Sequence, residues 1–157
     1  MIFTAPVSNL EGASLAEIFR GAAFEQYFGN NFKMAIPIHS GAQDAGHWTG
    51  VFVSVDTTSK TVDILGVDSL GGERSMPPGI RGALQELFSG PVFFEGFNLN
   101  FGVTEPAYRQ GSTLSCGPCT MENLLHLATG SATPDAAQAT DMAALRLRQA
   151  LVLQSAA

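Results

Sequence analysis

A histidine, an aspartate, a glutamine and a cysteine stand in this 157-residue chain in an order that suits thiol chemistry: His47, Asp68, Gln110 and Cys116. The first two lie at the outer ends of two segments that read as a β-hairpin. Trp48 to Val55 and Thr61 to Val67 alternate, are rich in β-branched residues and are joined by the polar run DTTSK. A turn centred near Thr57 and Thr58 sets Val55 against Lys60, Val53 against Val62 and Val51 against Ile64. Continued outward, the same register sets His47 directly against Asp68. Directly opposed residues project from one face with Cβ atoms about 5 Å apart. A carboxylate so placed accepts a hydrogen bond from imidazole Nδ1, fixes the tautomer and leaves Nε2 as a base. A slip of one residue would put the two on opposite faces. A His–Asp pair with nothing beside it is a surface contact, so its meaning depends on its neighbours.

Cys116 supplies the neighbour. It follows a loop and opens an apolar stretch, Thr120, Met121, Leu124, Leu125 and Leu127, with Gly117 and Pro118 in the first turn. Pro is favoured at the first positions of a helix, where its missing N–H costs nothing. A thiol at a helix N-terminus feels the positive end of the helix dipole, which favours thiolate, and an adjacent imidazolium adds to this. That is the arrangement of an activated cysteine nucleophile. Gln110 lies on the loop six positions earlier, where its amide can meet a developing oxyanion beside the Cys116 N–H. Considered alone, Gln110 is an exposed loop amide.

The elements that must position these residues read as a mixed α and β order. Ser14 to Phe28 has apolar residues at helical spacing, with Ser14 and Glu17 as a capping box. Phe32 to Ile38 reads as a strand, followed by the polar loop HSGAQDAG that contains His39. Pro77 and Pro78 open a helix over Gly79 to Phe88, ended by Gly90 and Pro91. Val92 to Val103 alternates as another strand, with Phe94, Phe97 and Phe101 expected in the core. A helix from about Cys116 to Ala128 and an Ala-rich amphipathic helix from Pro134 to Leu153 complete an α+β pattern.

Taken together, these residues resemble the ubiquitin-like protease superfamily of cysteine peptidases, which holds the SUMO and NEDD8 proteases and their adenain relatives. The pattern there is His-Trp opening a strand, a hairpin, Asp-Ser closing the next strand, then Gln, five residues and Cys-Gly at a helix start. Here it stands as His47-Trp48, Asp68-Ser69, Gln110 and Cys116-Gly117, and the likeness covers about residues 32–130. The resemblance implies one peptidase domain over residues 1–157, with a papain-like core: a central, mostly antiparallel sheet flanked by helices. It implies Cys116 as nucleophile, His47 as general base, Asp68 as its orienter and Gln110 in the oxyanion hole. Trp48 would wall the channel that admits a Gly-Gly tail; a core aromatic beside the site is the other reading. The activity implied is a thiol isopeptidase acting after the C-terminal Gly-Gly of ubiquitin or a modifier such as SUMO or NEDD8. Its partners would be that modifier and its conjugates, with no cofactor and a monomeric chain. Ser115 stands where the family has Asp, and the family's Trp-Leu lead is missing, so the modifier is left open. A related effector-type acetyltransferase is the runner-up, although its acidic residue is usually Glu. A module that only grips a modifier is a third reading, disfavoured by the presence of all four catalytic residue types.

Cys116-Gly117-Pro118-Cys119 also spells the thioredoxin tetrapeptide, a low-pKa thiol with a resolving thiol three residues on. Its place late in the chain argues against a thioredoxin fold, in which two strands and a cis-Pro follow the motif. Cys119 is then a small buried helix residue or a partner that reversibly oxidises with Cys116. One CxxC has too few ligands for zinc. His39 and His126 carry no assigned role.

Lys and Arg number 8 against 14 Asp and Glu, a formal net charge of −6. Nucleic acid and anionic membrane both require a basic face, so neither is an expected partner. Hydrophobic residues make up 45% of the chain, enough for a packed core. No apolar run approaches the roughly 20 residues of a membrane span. The opening MIFTAPVSNLEG has no basic n-region or apolar h-region, so no secretory signal is expected. The expected location is the cytoplasm, or a host cell reached by signal-independent export, as for a bacterial effector.

Overall fold

A computed structural model of the chain describes residues 2–4, 7–8, 26–41, 46–71, 76–90, 92–111 and 116–130. Its elements are β1 (Ile2–Phe3), β2 (Val7–Ser8), β3 (Phe32–Ser40), β4 (His47–Asp56), β5 (Thr61–Asp68), α1 (Pro78–Ser89), a 3₁₀ turn (Val92–Phe94), β6 (Asn98–Thr104) and α2 (Cys116–Thr129). The helix expected over residues 14–28 lies outside the described residues as far as position 25, and its last positions belong to a turn over 26–29; the helix expected over residues 134–153 lies outside the described residues.

The strands build one sheet in the order β1-β3-β4-β5-β6, with β2 also pairing along β3. The long ladders β3–β4 and β4–β5 are antiparallel and carry most of the pairing. The shorter β1 and β2 contacts with β3 are parallel, as is β5 with β6. A parallel step needs a crossover, and α1 provides it between β5 and β6. The α+β architecture expected of the sequence is the one observed.

Alternation on the strands divides the core between two helices. Met34, Ile36 and Ile38 of β3, Val51, Val53 and Val55 of β4, and Val62 and Ile64 of β5 pack with Ile80, Leu84 and Phe88 of α1. On the opposite face Ala35, Phe52 and Val67 pack with Leu124 of α2. Gly50 sets how closely α2 approaches: a Cβ there would stand 2.9 Å from Leu124 Cδ2, closer than packed carbons tolerate. That approach brings the N-terminus of α2 down at the start of β4.

The segment expected as one strand from Val92 to Val103 divides in two. Val92–Phe94 is a 3₁₀ turn and only Asn98–Thr104 joins the sheet. Phe94 and Phe97 are three apart, which suits a tight turn better than a strand of period two. Their rings meet edge to face at 5.5 Å, and Phe94 also packs on Phe88 at 5.0 Å. Phe94 is buried as expected, whereas Phe97 and Phe101 are only partly covered.

Candidate active site

Asp68 and His47 occupy the open end of the β4–β5 hairpin. The turn takes four residues, Thr57 to Lys60, closed by the pair Asp56–Thr61. Asp56 Oδ1 accepts the Thr58 N–H at 2.8 Å and the Ser59 N–H at 3.3 Å. Lys60 ends the turn in the left-handed region at φ 53°. The turn is therefore centred further along than Thr57 and Thr58, and Val53 pairs with Ile64 rather than Val62. Asp68 consequently faces Thr49, not His47. This corrects the expected direct pairing, but the displacement is two residues, so parity survives and His47 and Asp68 still share a face.

As diagonal neighbours they remain within reach of a long side chain. His47 Nε2 lies 2.8 Å from Asp68 Oδ1. This corrects the expected nitrogen as well: Nε2 donates to the carboxylate, and Nδ1 becomes the basic nitrogen. Asp68 is 3% exposed and also accepts the Leu70 N–H at 2.9 Å, while its carbonyl accepts the Gly71 N–H at 2.8 Å. A buried carboxylate supplied with such donors is held in one orientation.

Gln110 arrives from the loop after β6 and is fastened to the residue next to Asp68. Its backbone N–H donates to the Ser69 carbonyl at 3.1 Å. Ser69 Oγ donates to Gln110 Oε1 at 2.6 Å, from a side chain with no exposed surface. Two residues upstream, Asn123 of α2 brackets Tyr108: Oδ1 accepts the Tyr108 N–H at 2.8 Å and Nδ2 donates to its carbonyl at 2.9 Å. The loop is thus pinned to β5 on one side and to α2 on the other.

Cys116 is the first residue of α2 and is 6% exposed. The helix docks at Trp48: Thr120 Oγ1 donates to the Trp48 carbonyl at 2.9 Å, and a carbon placed on Gly117 would lie 3.5 Å from Trp48 Cδ1. The indole is half-buried against this first turn. Its other neighbour is His39, whose ring centroid is 4.9 Å away at 52°. His39, expected in a loop, is on β3 opposite Trp48, because β3 continues to Ser40. Gly46 permits this, since a Cβ there would sit 2.1 Å from His39 Nε2.

Hydrogen bonds thus join His47 to Asp68, Ser69 to Gln110, and the helix headed by Cys116 to Trp48, all at one end of the sheet. Cys119 has no exposed surface and packs beside Tyr108. Both cysteines are thiols rather than a disulfide. Among the described residues no cluster of three His, Cys, Asp or Glu side chains is placed to hold a metal ion. Ser69, Thr120, Asn123 and His39 were not identified as partners from sequence. Ser69 had a signal, its place beside Asp68; the others act across distances of chain that carry none.

No protein-family profile and no curated protein sequence matches this chain. Solved structures do. The central domain of the uncharacterized Lpg1148 protein from Legionella pneumophila superposes with a TM-score of 0.56 at 18% identity, over 98% of this chain and 88% of that one. The Rickettsia bellii effector protein RickCE gives 0.52 at 20% identity, over 91% of this chain and 50% of that one. The SUMO protease Ulp1, with its catalytic cysteine oxidized to a sulfonic acid, gives 0.51 at 22% identity, over 85% and 63%. This chain spans about half of RickCE and under two thirds of the Ulp1 structure. The fold is shared with the SUMO protease Ulp1, and it is not the thioredoxin fold that CGPC alone would suggest. Among the described residues no helix is long and apolar enough to cross a membrane.

Proposed function

We propose that this chain is a thiol isopeptidase that cleaves after the C-terminal Gly-Gly of ubiquitin or a ubiquitin-like modifier. The observation that carries the reading is the 2.8 Å contact between His47 Nε2 and Asp68 Oδ1, one residue from the Trp48 carbonyl that anchors the Cys116 helix. His47 Nδ1 takes the Cys116 proton, and the thiolate attacks the carbonyl of the terminal glycine. The Gln110 amide and the Cys116 N–H hold the resulting oxyanion. Collapse expels the lysine amine, which receives its proton from His47, and leaves a thioester on Cys116. Water, deprotonated by His47, then releases the modifier as a carboxylate and restores the thiol.

The fold shared with the SUMO protease Ulp1 supports a modifier as substrate. The likeness to a Rickettsia effector and a Legionella protein supports a bacterial effector that works in a host cell. Trp48, whose indole lies beside Gly117 at the head of α2, walls the channel that admits the Gly-Gly tail in this reading.

The test is covalent capture. Reduced protein is mixed with electrophilic C-terminal probes built on ubiquitin, SUMO and NEDD8, with Cys116→Ala alongside. An adduct with one probe that is absent from C116A is expected and names the modifier. No adduct with any probe overturns the reading, and incubation with acetyl-CoA and a protein acceptor then tests acetyl transfer.

A further inference from the structure

Ser69 is placed to decide which way the Gln110 amide points. A glutamine side chain has an acceptor end and a donor end of nearly equal size, and only the N–H end can stabilise an oxyanion. A loop glutamine left to itself rotates between the two. Here Ser69 Oγ donates to Gln110 Oε1 at 2.6 Å, so the oxygen end is turned to Ser69 and the Nε2 end points away from it. The same residue accepts the Gln110 backbone N–H at 3.1 Å, which fixes where the side chain starts. Ser69 has no exposed surface, so water does not compete for its hydroxyl. The arrangement also ties two functions to one dipeptide: Asp68 orients His47, and Ser69 orients Gln110.

We propose that Ser69 is a positioning residue that orients the Gln110 carboxamide with its N–H donors toward the oxyanion. What the oriented amide does rests on the isopeptidase reading; where it points does not.

The test has two readouts. In the ¹⁵N spectrum of the whole chain, the Gln110 side-chain amide is identified as the signal lost in Gln110→Ala. Expected is a well-ordered amide in the wild type and a shifted, more mobile one in Ser69→Ala, with Ser69→Cys between them because a thiol is a weaker donor. In hydrolysis of a fluorogenic C-terminal amide of whichever modifier the capture experiment names, S69A is expected to lower kcat about tenfold with KM unchanged, the size of one hydrogen bond's net worth. Gln110→Ala is expected to lose about 10²-fold or more. The double variant S69A/Q110A is expected to be no slower than Q110A, because Ser69 acts through Gln110. A Gln110 amide signal unmoved in both Ser69 variants overturns the proposal, as do losses that multiply in the double variant. If the wild type hydrolyses none of the three modifier amides, the isopeptidase reading fails, and the amide spectrum alone still decides the role of Ser69.

Discussion

Asp68 faces Thr49 across the β4–β5 ladder, yet its carboxylate is engaged by His47, one diagonal away, at 2.8 Å. The imidazole meets the carboxylate through Nε2, which leaves Nδ1 as the nitrogen not bound to Asp68. Asp68→Asn keeps the volume and an acceptor but loses the charge that stabilises an imidazolium. A fall of about 10²–10⁴-fold in kcat on the fluorogenic modifier amide is expected, with a nearly unchanged melting temperature. Activity within tenfold of the wild type would remove Asp68 from the mechanism.

Gly50 governs the seat of α2 on the sheet. A methyl group there would stand 2.9 Å from Leu124 Cδ2, so Gly50→Ala pushes the helix, and Cys116 with it, away from β4. Overpacking of this kind costs about 1–3 kcal/mol. Urea titration is expected to show that loss, and the Gly50→Ala/Leu124→Ala double variant to be more stable than the sum of its singles, since the two share one space.

Asn123 is a structural clamp whose loss is expected in stability. Asn123→Ala orphans the buried N–H and C=O of Tyr108, each costing about 1–3 kcal/mol. Asn123→Asp keeps the acceptor for the N–H but sets a buried carboxylate oxygen against the Tyr108 carbonyl, and is expected to lose more than Asn123→Ala near neutral pH. Chemical denaturation of the two variants checks the order; equal losses would contradict it.

The hairpin turn should respond to acid. The Thr58 backbone N–H chiefly, then the hydroxyl and backbone N–H of Ser59, hold the Asp56 carboxyl below its ordinary value of 3.8. A carboxylate with a depressed folded-state pKa stabilises the fold above its unfolded pKa, and that contribution disappears as pH falls through the folded value. Asp56→Asn has an acceptor that does not titrate. The stability advantage of the wild type over D56N is therefore expected to be constant near neutrality and to shrink below about pH 4, as followed by melting temperature against pH.

What could be read from the residues alone was local. Alternation located β4 and β5, Pro77 and Pro78 located the start of α1, and Gly117-Pro118 located the head of α2. These signals depend on neighbours a few positions away, which is why they survive without the fold. Parity survived too: the expected hairpin register was displaced, but by an even number, so His47 and Asp68 kept one face. The tertiary structure decided what depends on distant partners. The four-residue turn, also held by Asn31 through its hydrogen bonds to Thr57 at 2.8 and 2.6 Å, set the register and so the residue that faces Asp68. The burial of Phe94 between Phe88 and Phe28 made a 3₁₀ turn of a segment whose pattern suggested strand. Ser69 and Gln110, 41 positions apart, meet because α1 and β6 carry the chain across the sheet and back, and no periodicity in the sequence records a contact of that kind.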